Sequence, residues 1–327
     1  MSMEVLRAAP LLTIQDLGRQ GWRHLGVPCC GVMDPLALQQ ANLLLGNDKN
    51  AAALEITSTP ALLRFTEPVQ LVLMGADANA SHLAADTKTV LKQSVTPGFI
   101  HTLEAGECLQ LQRTAAPGLR ALLAVAGGFD VEPVLGSRST DLINGFGGWQ
   151  GRALRAGDQI PVGKTNPLNQ ADNRGVRQQN WHPVFRILPA ADFKRFDQRS
   201  RSALQETLWK VQPESNRMGL RLQGEPLTLL SSVTRQLSMG VLPGLIQVPP
   251  SGQPVILAAD AQTTGGYPAI ASIISVDLWQ LAYMTPGTHI QFVEVSLAEA
   301  HGLGSRQRLQ LQRLHDSVLD SQHYKGL

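Results

Sequence analysis

Residues 252–267 read GQPVILAADAQTTGGY, and their character changes abruptly at Asp260. Residues 255–259 are apolar without a break, and so short an apolar run predicts a strand that is buried on both faces. The polar residues that follow bring a carboxylate, an amide and two hydroxyls, and the pair Gly265-Gly266 allows a ligand to approach the backbone closely. The stretch predicts either a ligand-binding loop at the end of a strand or a glycine turn whose hydroxyls cap the backbone. Both interpretations are open at the level of the sequence.

Short apolar runs of this kind recur along the whole chain, at residues 54–57, 61–65, 69–74, 119–126, 184–188, 242–248 and 290–295. They are rich in strand-forming residues, and most are bounded on at least one side by Gly or Pro, which is typical of β-strands. Closely spaced strands favour a β-barrel or sandwich over alternating strand–helix units. We therefore predict a mainly β protein with some helices, of the α+β class.

A few segments predict helices between these strands. Asp34 and Pro35 suit the N-cap and the first position of a helix. Residues 192–211 place several apolar side chains near one helical face, which predicts a longer helix there. Asp277 is positioned to cap a short helix, and a final leucine-bearing helix is expected from Ala298 onward.

The chain has 327 residues, a length for which two domains are the natural expectation. The polar segment of residues 166–180 has few large apolar side chains and is the best candidate for a linker. We expect the long glycine-rich loop of residues 136–157 to be ordered, because it carries Phe146 and Trp149. The predicted domains are residues 1–172 and 173–327.

Charge and composition exclude several classes of protein. The chain carries 28 Lys and Arg against 26 Asp and Glu, and no run of positive charge. Binding to nucleic acid or to a membrane surface depends on clustered positive charge, so we expect neither partner. The longest apolar stretches fall well short of a membrane span, and the N-terminus lacks the pattern of a signal peptide. Three cysteines are too few for a disulfide framework, and we predict a reduced cytoplasmic protein.

Two glycine-rich stretches resemble nucleotide-binding loops but have the wrong spacing. In residues 157–165 five residues separate the glycines where a phosphate loop needs four, and Pro167 follows where its helix should begin. We predict a strand and a turn there. In residues 145–151, Gln150 occupies a position where the dinucleotide motif requires glycine, so a Rossmann site is rejected.

Histidine and cysteine give no clear catalytic or metal-binding pattern. No two of the eight histidines have the spacing of metal ligands, and none pairs with cysteine in a zinc pattern, so no metal site is predicted. Cys29 and Cys30 lie near His24, but no family motif for a thiol nucleophile surrounds them. Free cysteines are more often buried as small apolar residues.

Four polar clusters remain, at residues 15–23, 138–141, 216–219 and 260–267. Arg19, Arg138 and Arg217 are permanently charged planar donors that suit a carboxylate or a phosphate, although each can equally be a solvated surface residue or brace a loop against a carboxylate. The candidate catalytic residues are Asp260, Arg217 and Thr264. The candidate substrate-binding residues are Gln15, Asp16, Arg19, Arg138, Ser139, Asn216, Gln262, Thr263, Gly265, Gly266 and Tyr267.

Eight segments that include these clusters carry a family resemblance. They read TIQDLGRQGWRHLGV, GVMDPLALQQANLLLGN, ALEIT, AVAGGFDV, GSRSTDLINGFGGWQGRAL, SNRMGLRLQG, LPGLIQVPPSGQPVILAADAQTTGGYPAIA and VSLAEA. Together, and in this order, they resemble the allophanate-hydrolase subunit 2 family, also called biotin-dependent carboxyltransferase-like proteins. The resemblance extends over nearly the whole chain.

The resemblance implies a fold of two cyclophilin-like β-barrel domains. It also implies a part in the ATP-dependent opening of 5-oxo-L-proline to L-glutamate, together with partner subunits A and B. ATP is then used by the complex, and which of the subunits binds ATP is open; no biotin-attachment motif is recognised in this chain. The alternatives are a carboxyltransferase component related to allophanate hydrolase or urea carboxylase, and a non-catalytic regulatory protein that binds a kinase inhibitor.

The polar clusters favour an enzyme component over a purely protein-binding surface, which typically presents aromatic and arginine anchors. In an enzyme that opens a lactam, ionised Asp260 would either accept a hydrogen bond from the lactam N–H or orient Arg217. The sequence offers no identifiable nucleophile, metal site or nucleotide loop. We therefore expect the chain to be inactive without the B subunit.

Overall fold

The chain folds into two compact units. The computed structural model describes residues 1–112, 119–164, 174–230 and 237–323, and the domain boundary predicted between residues 172 and 173 lies outside them. Unit 1 comprises Met1–Arg19, Cys30–Gln179 and Leu309–Leu327, and unit 2 comprises Gln20–Cys29 and Asn180–Arg308. The short early segment Gln20–Cys29 therefore belongs to the unit that is formed mainly by the C-terminal half of the chain.

The strands of unit 1 form two sheets. They are β1 (Ser2–Arg7), β2 (Leu12–Gln15), β3 (Ala53–Ile56), β4 (Ala61–Phe65), β5 (Val69–Gly75), β6 (Ser81–Leu83), β7 (Val90–Lys92), β8 (Ile100–Leu103), β9 (Cys108–Leu111), β10 (Ala121–Val125) and β11 (Gln159–Pro161). One sheet has the order β11-β1-β4-β9-β6-β7 and the other the order β2-β3-β10-β5-β8. Every pair in both sheets is antiparallel.

The second sheet of unit 1 is buried on both faces. On β10, Leu123 and Val125 belong to the core that both sheets share. The alternate residues Leu122 and Ala124 pack in a second cluster with apolar residues of the helix α1 (Pro35–Leu44). Successive side chains of a strand point to opposite faces, and burying each large apolar one contributes about 1.5–3 kcal/mol. This confirms the buried strand predicted within residues 119–126, and β10 itself is apolar at every position.

The helix α1 begins as its sequence predicts. The side chain of Asp34 accepts a hydrogen bond from the backbone N–H of Ala37 at 2.8 Å, and Pro35 occupies the first helical position. This cap satisfies one of the backbone donors that a helix N-terminus leaves free.

Unit 2 contains a closed barrel. The strands of unit 2 in the described residues are β12 (Val184–Pro189), β13 (Trp209–Val211), β14 (Gly219–Gln223), β15 (Met239–Gly240), β16 (Leu245–Gln247), β17 (Val255–Leu257), β18 (Thr264–Gly265), β19 (Ala269–Ile273) and β20 (His289–Glu294). Seven of them close the barrel in the order β12-β19-β16-β17-β14-β13-β20, while β15 and β18 form a separate two-stranded sheet. The predicted class, mainly β with some helices, is confirmed.

The helix predicted over residues 192–211 is wrong in extent. The structure divides this segment into a 3₁₀ turn (Phe193–Arg195), the helix α2 (Gln198–Glu206) and strand β13. Phe196 interrupts the helical path because its backbone is extended, with φ −85° and ψ 147°, and its side chain is completely buried. The helix then restarts at a new cap, where Asp197 accepts from the backbone N–H of Ser200 at 2.7 Å.

The capping role predicted for Asp277 is also wrong. The 3₁₀ helix Ser275–Tyr283 has no side-chain cap at its N-terminus. Asp277 is buried and instead accepts hydrogen bonds from the backbone N–H and the guanidinium of Arg186 on β12. A buried carboxylate requires such a partner, and this requirement outweighs the small gain from capping.

The chain ends in the long helix α3 (Leu297–His323). Among the helices of the described residues, none combines the length and the apolar character that crossing a bilayer requires.

Candidate functional site

The polar loop that begins at Asp260 follows a strand of the barrel. Strand β17 ends at Leu257, and β19 begins at Ala269, so both ends of the loop are anchored in the barrel wall. Between them, β18 pairs with β15 in the register Met239↔Gly265 and Gly240↔Thr264. The structure therefore contains the predicted strand, which is two residues shorter than the predicted run of residues 255–259, and the polar loop after it.

Asp260 and Arg217 form a buried ion pair. The Nε and Nη2 atoms of Arg217 donate to the two carboxylate oxygens of Asp260, each at 2.8 Å. The backbone N–H of Asp260 also donates to the carbonyl oxygen of Arg217 at 2.8 Å. Both side chains are more than nine-tenths buried. A two-point contact of this kind fixes the plane of the guanidinium as well as its position.

Three side chains after Asp260 are available to a ligand. Gln262 and Thr263 are half-buried, and Thr264 is exposed. Within the part of the chain that the structure describes, no hydrogen bond engages the amide of Gln262 or the hydroxyls of Thr263 and Thr264. An amide and two hydroxyls therefore lie together in one loop and have no hydrogen-bond partner among the described residues.

The far end of this loop rests on Gln247 of β16, which is almost completely buried. Its Nε2 donates to the carbonyl oxygen of Tyr267 at 3.2 Å. A Cβ at Gly265 would lie 2.8 Å from this Nε2 atom and 3.3 Å from the side chain of Val241, so a larger residue there would require the end of the Gln247 side chain to shift. Gly266 is half-buried, and the ring of Tyr267 is half exposed beside it.

Arg23 holds the near end of the same loop, and the sequence did not single it out. Its Nη2 donates to the carbonyl oxygens of Val241 and of Gln262, the latter at 2.9 Å. Its Nη1 donates to Sγ of Cys29 at 3.8 Å. Arg23 lies at the end of the predicted cluster of residues 15–23 and within the motif TIQDLGRQGWRHLGV, but no local pattern indicates its contacts, because they join residues more than 200 positions apart.

Asp16 is the centre of a buried polar cluster in unit 1. One of its carboxylate oxygens accepts from the hydroxyls of Ser137 at 2.6 Å and Ser139 at 2.5 Å, and from the N–H of Gly18 at 2.8 Å. The other oxygen accepts from the N–H of Arg138 at 2.6 Å. The structure thus brings the first two predicted clusters together around one carboxylate, whose acceptors are occupied by the protein itself.

Arg19 is fully buried beside this cluster. Its Nη2 donates to the carbonyl oxygen of Ser139, and its guanidinium lies over the ring of Phe146, with Cζ 4.6 Å from the ring centroid. A desolvated cation–π contact of this kind contributes about 2 kcal/mol. Within the described residues, Nε and Nη1 of Arg19 have no hydrogen-bond partner, and neither does Oε1 of Gln15, whose Nε2 donates to Thr140.

The glycine-rich loop is ordered as expected. Trp149 packs against the core of unit 1, and the Arg19 guanidinium covers Phe146. Beyond the loop, Arg152 donates to both carboxylate oxygens of Asp158, at 2.7 and 2.8 Å. These hydrogen bonds hold the pKa of Asp158 below its usual value, although partial burial opposes the shift.

Arg138 and Asn216 have local structural contacts. The side chain of Arg138 donates to the carbonyl oxygen of Val131 and to the carboxylate of Asp130. Asn216 is exposed, and its side chain accepts from the N–H of Met218 at 2.8 Å. Both contacts are of the loop-bracing kind that the sequence left as an alternative to ligand binding.

The stretch that resembles a phosphate loop contains a strand. Strand β11 occupies Gln159–Pro161 and pairs with β1. This confirms the predicted strand, so the described part of this stretch offers no helix N-terminus that could hold a phosphate.

Comparisons with known proteins give one family. The model of the carboxyltransferase domain, subdomain A and B, matches residues 25–294. The chain is 43% identical to the C subunit of 5-oxoprolinase from Escherichia coli (strain K12), over 91% of this chain and 93% of that protein. It is 38% identical to the C subunit of 5-oxoprolinase from Haemophilus influenzae, over 97% of this chain and 98% of that protein.

A solved structure shares the fold. The crystal structure of the K. lactis urea amidolyase superposes with a TM-score of 0.85 and 26% sequence identity, covering 96% of this chain. This chain spans only 20% of the length of that solved chain.

Proposed function

Because this chain belongs to the family of the carboxyltransferase domain, subdomain A and B, we propose that it is the C subunit of an ATP-dependent 5-oxoprolinase. In this proposal it opens 5-oxo-L-proline to L-glutamate together with subunits A and B. The observation that carries the proposal is the similarity to two proteins of that name, at 43% and 38% identity, along more than nine-tenths of their length.

The reaction needs activation because an ordinary lactam resists attack at its carbonyl carbon. The γ-phosphoryl group of ATP moves to the carbonyl oxygen, water adds to the activated carbon, and the ring C–N bond breaks. The ring nitrogen takes up a proton, and a second water hydrolyses the resulting acyl phosphate, which releases inorganic phosphate and leaves L-glutamate. Negative charge develops on the oxygen of the added water when it loses its proton in the tetrahedral intermediate, and each well-placed donor to that oxygen contributes about 3 kcal/mol. The chemistry therefore requires neutral or positive donors in a fixed arrangement.

The loop after Asp260 provides such donors. The amide of Gln262 and the hydroxyls of Thr263 and Thr264 are free of protein partners in the described structure. In the proposal they bind the lactam or its activated form. Asp260 orients Arg217 through both of its carboxylate oxygens.

The proposal also requires partner subunits. Residues 159–161 form a strand within the stretch that resembles a phosphate loop. The proposal therefore assigns no step of ATP binding to this chain. We therefore propose that subunits A and B complete the site and that the isolated chain releases no glutamate.

The test is reconstitution of the three subunits with ATP and 5-oxoproline, with glutamate release as the readout. Omitting this chain should abolish release, and the isolated chain should give none. Thr264→Val removes one candidate hydroxyl and should lower the rate, while Thr228→Val provides a matched control, because Thr228 is an exposed threonine of the same unit. Glutamate release by subunits A and B alone would contradict the proposal.

Similarity to the K. lactis urea amidolyase supports one alternative, a carboxyltransferase role in urea metabolism. The same reconstitution distinguishes this alternative from the proposed role in a 5-oxoprolinase. Replacing 5-oxoproline by urea should give no ATP turnover, and turnover with urea alone would favour the alternative.

A further inference from the structure

Arg23 occupies the position where the small sheet of β15 and β18 ends. Beyond the last paired residues, the N–H of Val241 donates to the carbonyl oxygen of Thr263 at 3.0 Å. The carbonyl oxygens of Val241 and Gln262 then point to a single Nη2 atom of Arg23. The guanidinium therefore joins the two chain segments where the backbone ladder stops.

Such a clamp matters because the sheet that it closes is very small. Each of its strands has only two residues. An isolated two-stranded ribbon is at best marginally stable in water. Two charge-assisted hydrogen bonds from one arginine hold the loop more firmly than this short backbone pairing does by itself. Arg23 reaches the loop because the segment Gln20–Cys29 belongs to unit 2.

The clamp also sets the direction of one peptide group. In a planar trans peptide the carbonyl and the following N–H point in opposite directions. Since the carbonyl of Gln262 points at Arg23, the N–H of Thr263 points away from it. Within the described part of the chain this N–H has no hydrogen-bond acceptor. The cation on the carbonyl also polarises the peptide, which makes that N–H a stronger donor.

We propose that Arg23 is a positioning residue that fixes the Gln262–Thr263 peptide, so that the N–H of Thr263 donates to the negatively charged oxygen formed during lactam opening. This inference rests on the proposed function and adds to it a backbone donor and the side chain that aims it. Arg23 itself does not touch the substrate. A lysine cannot replace it fully, because its ammonium lacks the second nitrogen with which the guanidinium also donates to Sγ of Cys29.

The first test uses the assembled three-subunit complex. Arg23→Ala should lower kcat on the order of 10- to 100-fold and leave KM nearly unchanged, as expected for a donor that acts mainly in the transition state. Guanidinium ion added at low concentration should restore part of kcat, and Arg23→Lys should retain more activity than Arg23→Ala. The matched control is Arg195→Ala, which removes a half-buried arginine of the same unit that binds Asp192. Wild-type kcat in Arg23→Ala, or an equal loss in the control, would overturn the inference.

A second measurement does not depend on activity. In Arg23→Ala, hydrogen exchange at the N–H of Val241, which donates to Thr263, should be faster than in the unaltered protein. Exchange should remain unchanged at the N–H of Val248, which donates to Pro268 at 2.9 Å. If the unaltered complex releases no glutamate, the proposed function fails, and exchange alone then tests the clamp. Unchanged exchange at Val241 in Arg23→Ala overturns the clamp whatever the activity is.

Discussion

Replacing Asp260 by asparagine (Asp260→Asn) tests whether the buried pair with Arg217 holds the polar loop in place. Asparagine has nearly the same shape but offers one acceptor oxygen where the carboxylate offers two. Its NH₂ group would face a guanidinium that also donates. The positive charge of Arg217, of which about 7% of the side chain is exposed, would then lack its carboxylate partner.

The expected cost follows from this burial. Removing the charge of one partner of a buried ion pair costs about 3 kcal/mol or more, because the other charge loses a strong, desolvated interaction. At roughly 2–4 °C per kcal/mol for a unit of this size, the melting temperature should fall by about 6–12 °C. By contrast, Glu225→Gln breaks a pair with Arg199 whose side chain is 84% exposed, and it should cost less than about 1 kcal/mol.

Urea unfolding followed by tryptophan fluorescence measures this difference, because Trp209 of unit 2 is completely buried in the folded state. The double variant Arg217→Met with Asp260→Leu replaces both charges by apolar groups, and it should be more stable than Asp260→Asn. Glutamate release should fall with the displaced loop. If Asp260→Asn is as stable as Glu225→Gln, the pair does not hold the loop and the reasoning is refuted.

Three further predictions concern unit 1 and the cysteines. Asp16→Ala should destabilise unit 1 by at least about 3 kcal/mol in urea unfolding, because four donors, three of them buried, lose their acceptor; a near-wild-type midpoint would contradict this. The pKa of Asp158 lies below 3.8 because Arg152 donates to it, so this carboxylate stabilises the fold above that value, and the contribution is lost as pH falls through the lowered pKa. Arg152→Gln should therefore reduce the free energy of unfolding at neutral pH more than in strong acid. An equal reduction at the two pH values would contradict the lowered pKa of Asp158. Alkylation of the native protein, read by peptide mass spectrometry, should modify half-buried Cys29 before Cys108, because burial raises the pKa of the Cys108 thiol; the reverse order would disprove it.

Local patterns predicted the elements of this fold well where one short-range interaction decides the structure. The cap and the first proline of α1 are adjacent residues, and the run that became β10 is apolar at every position. The family resemblance drawn from eight motifs is confirmed by the family match over residues 25–294. Local patterns predicted the wrong structure at Phe196 and Asp277. Phe196 has an extended backbone that interrupts the predicted helix, and the buried carboxylate of Asp277 binds Arg186 instead of capping a helix.

The sequence by itself determined which residue types were available at the candidate site: a carboxylate, an amide, two hydroxyls and two glycines in one stretch after a strand. Only the tertiary structure decided which of them remain free. Arg217 reaches Asp260 across 43 residues, and Arg23 reaches Gln262 across 239. Periodicity and capping signals act over a few residues, whereas these contacts depend on the closure of the barrel and on the unit to which segment Gln20–Cys29 belongs. For that reason the loop could be recognised from its sequence, and the arginine that clamps it could not.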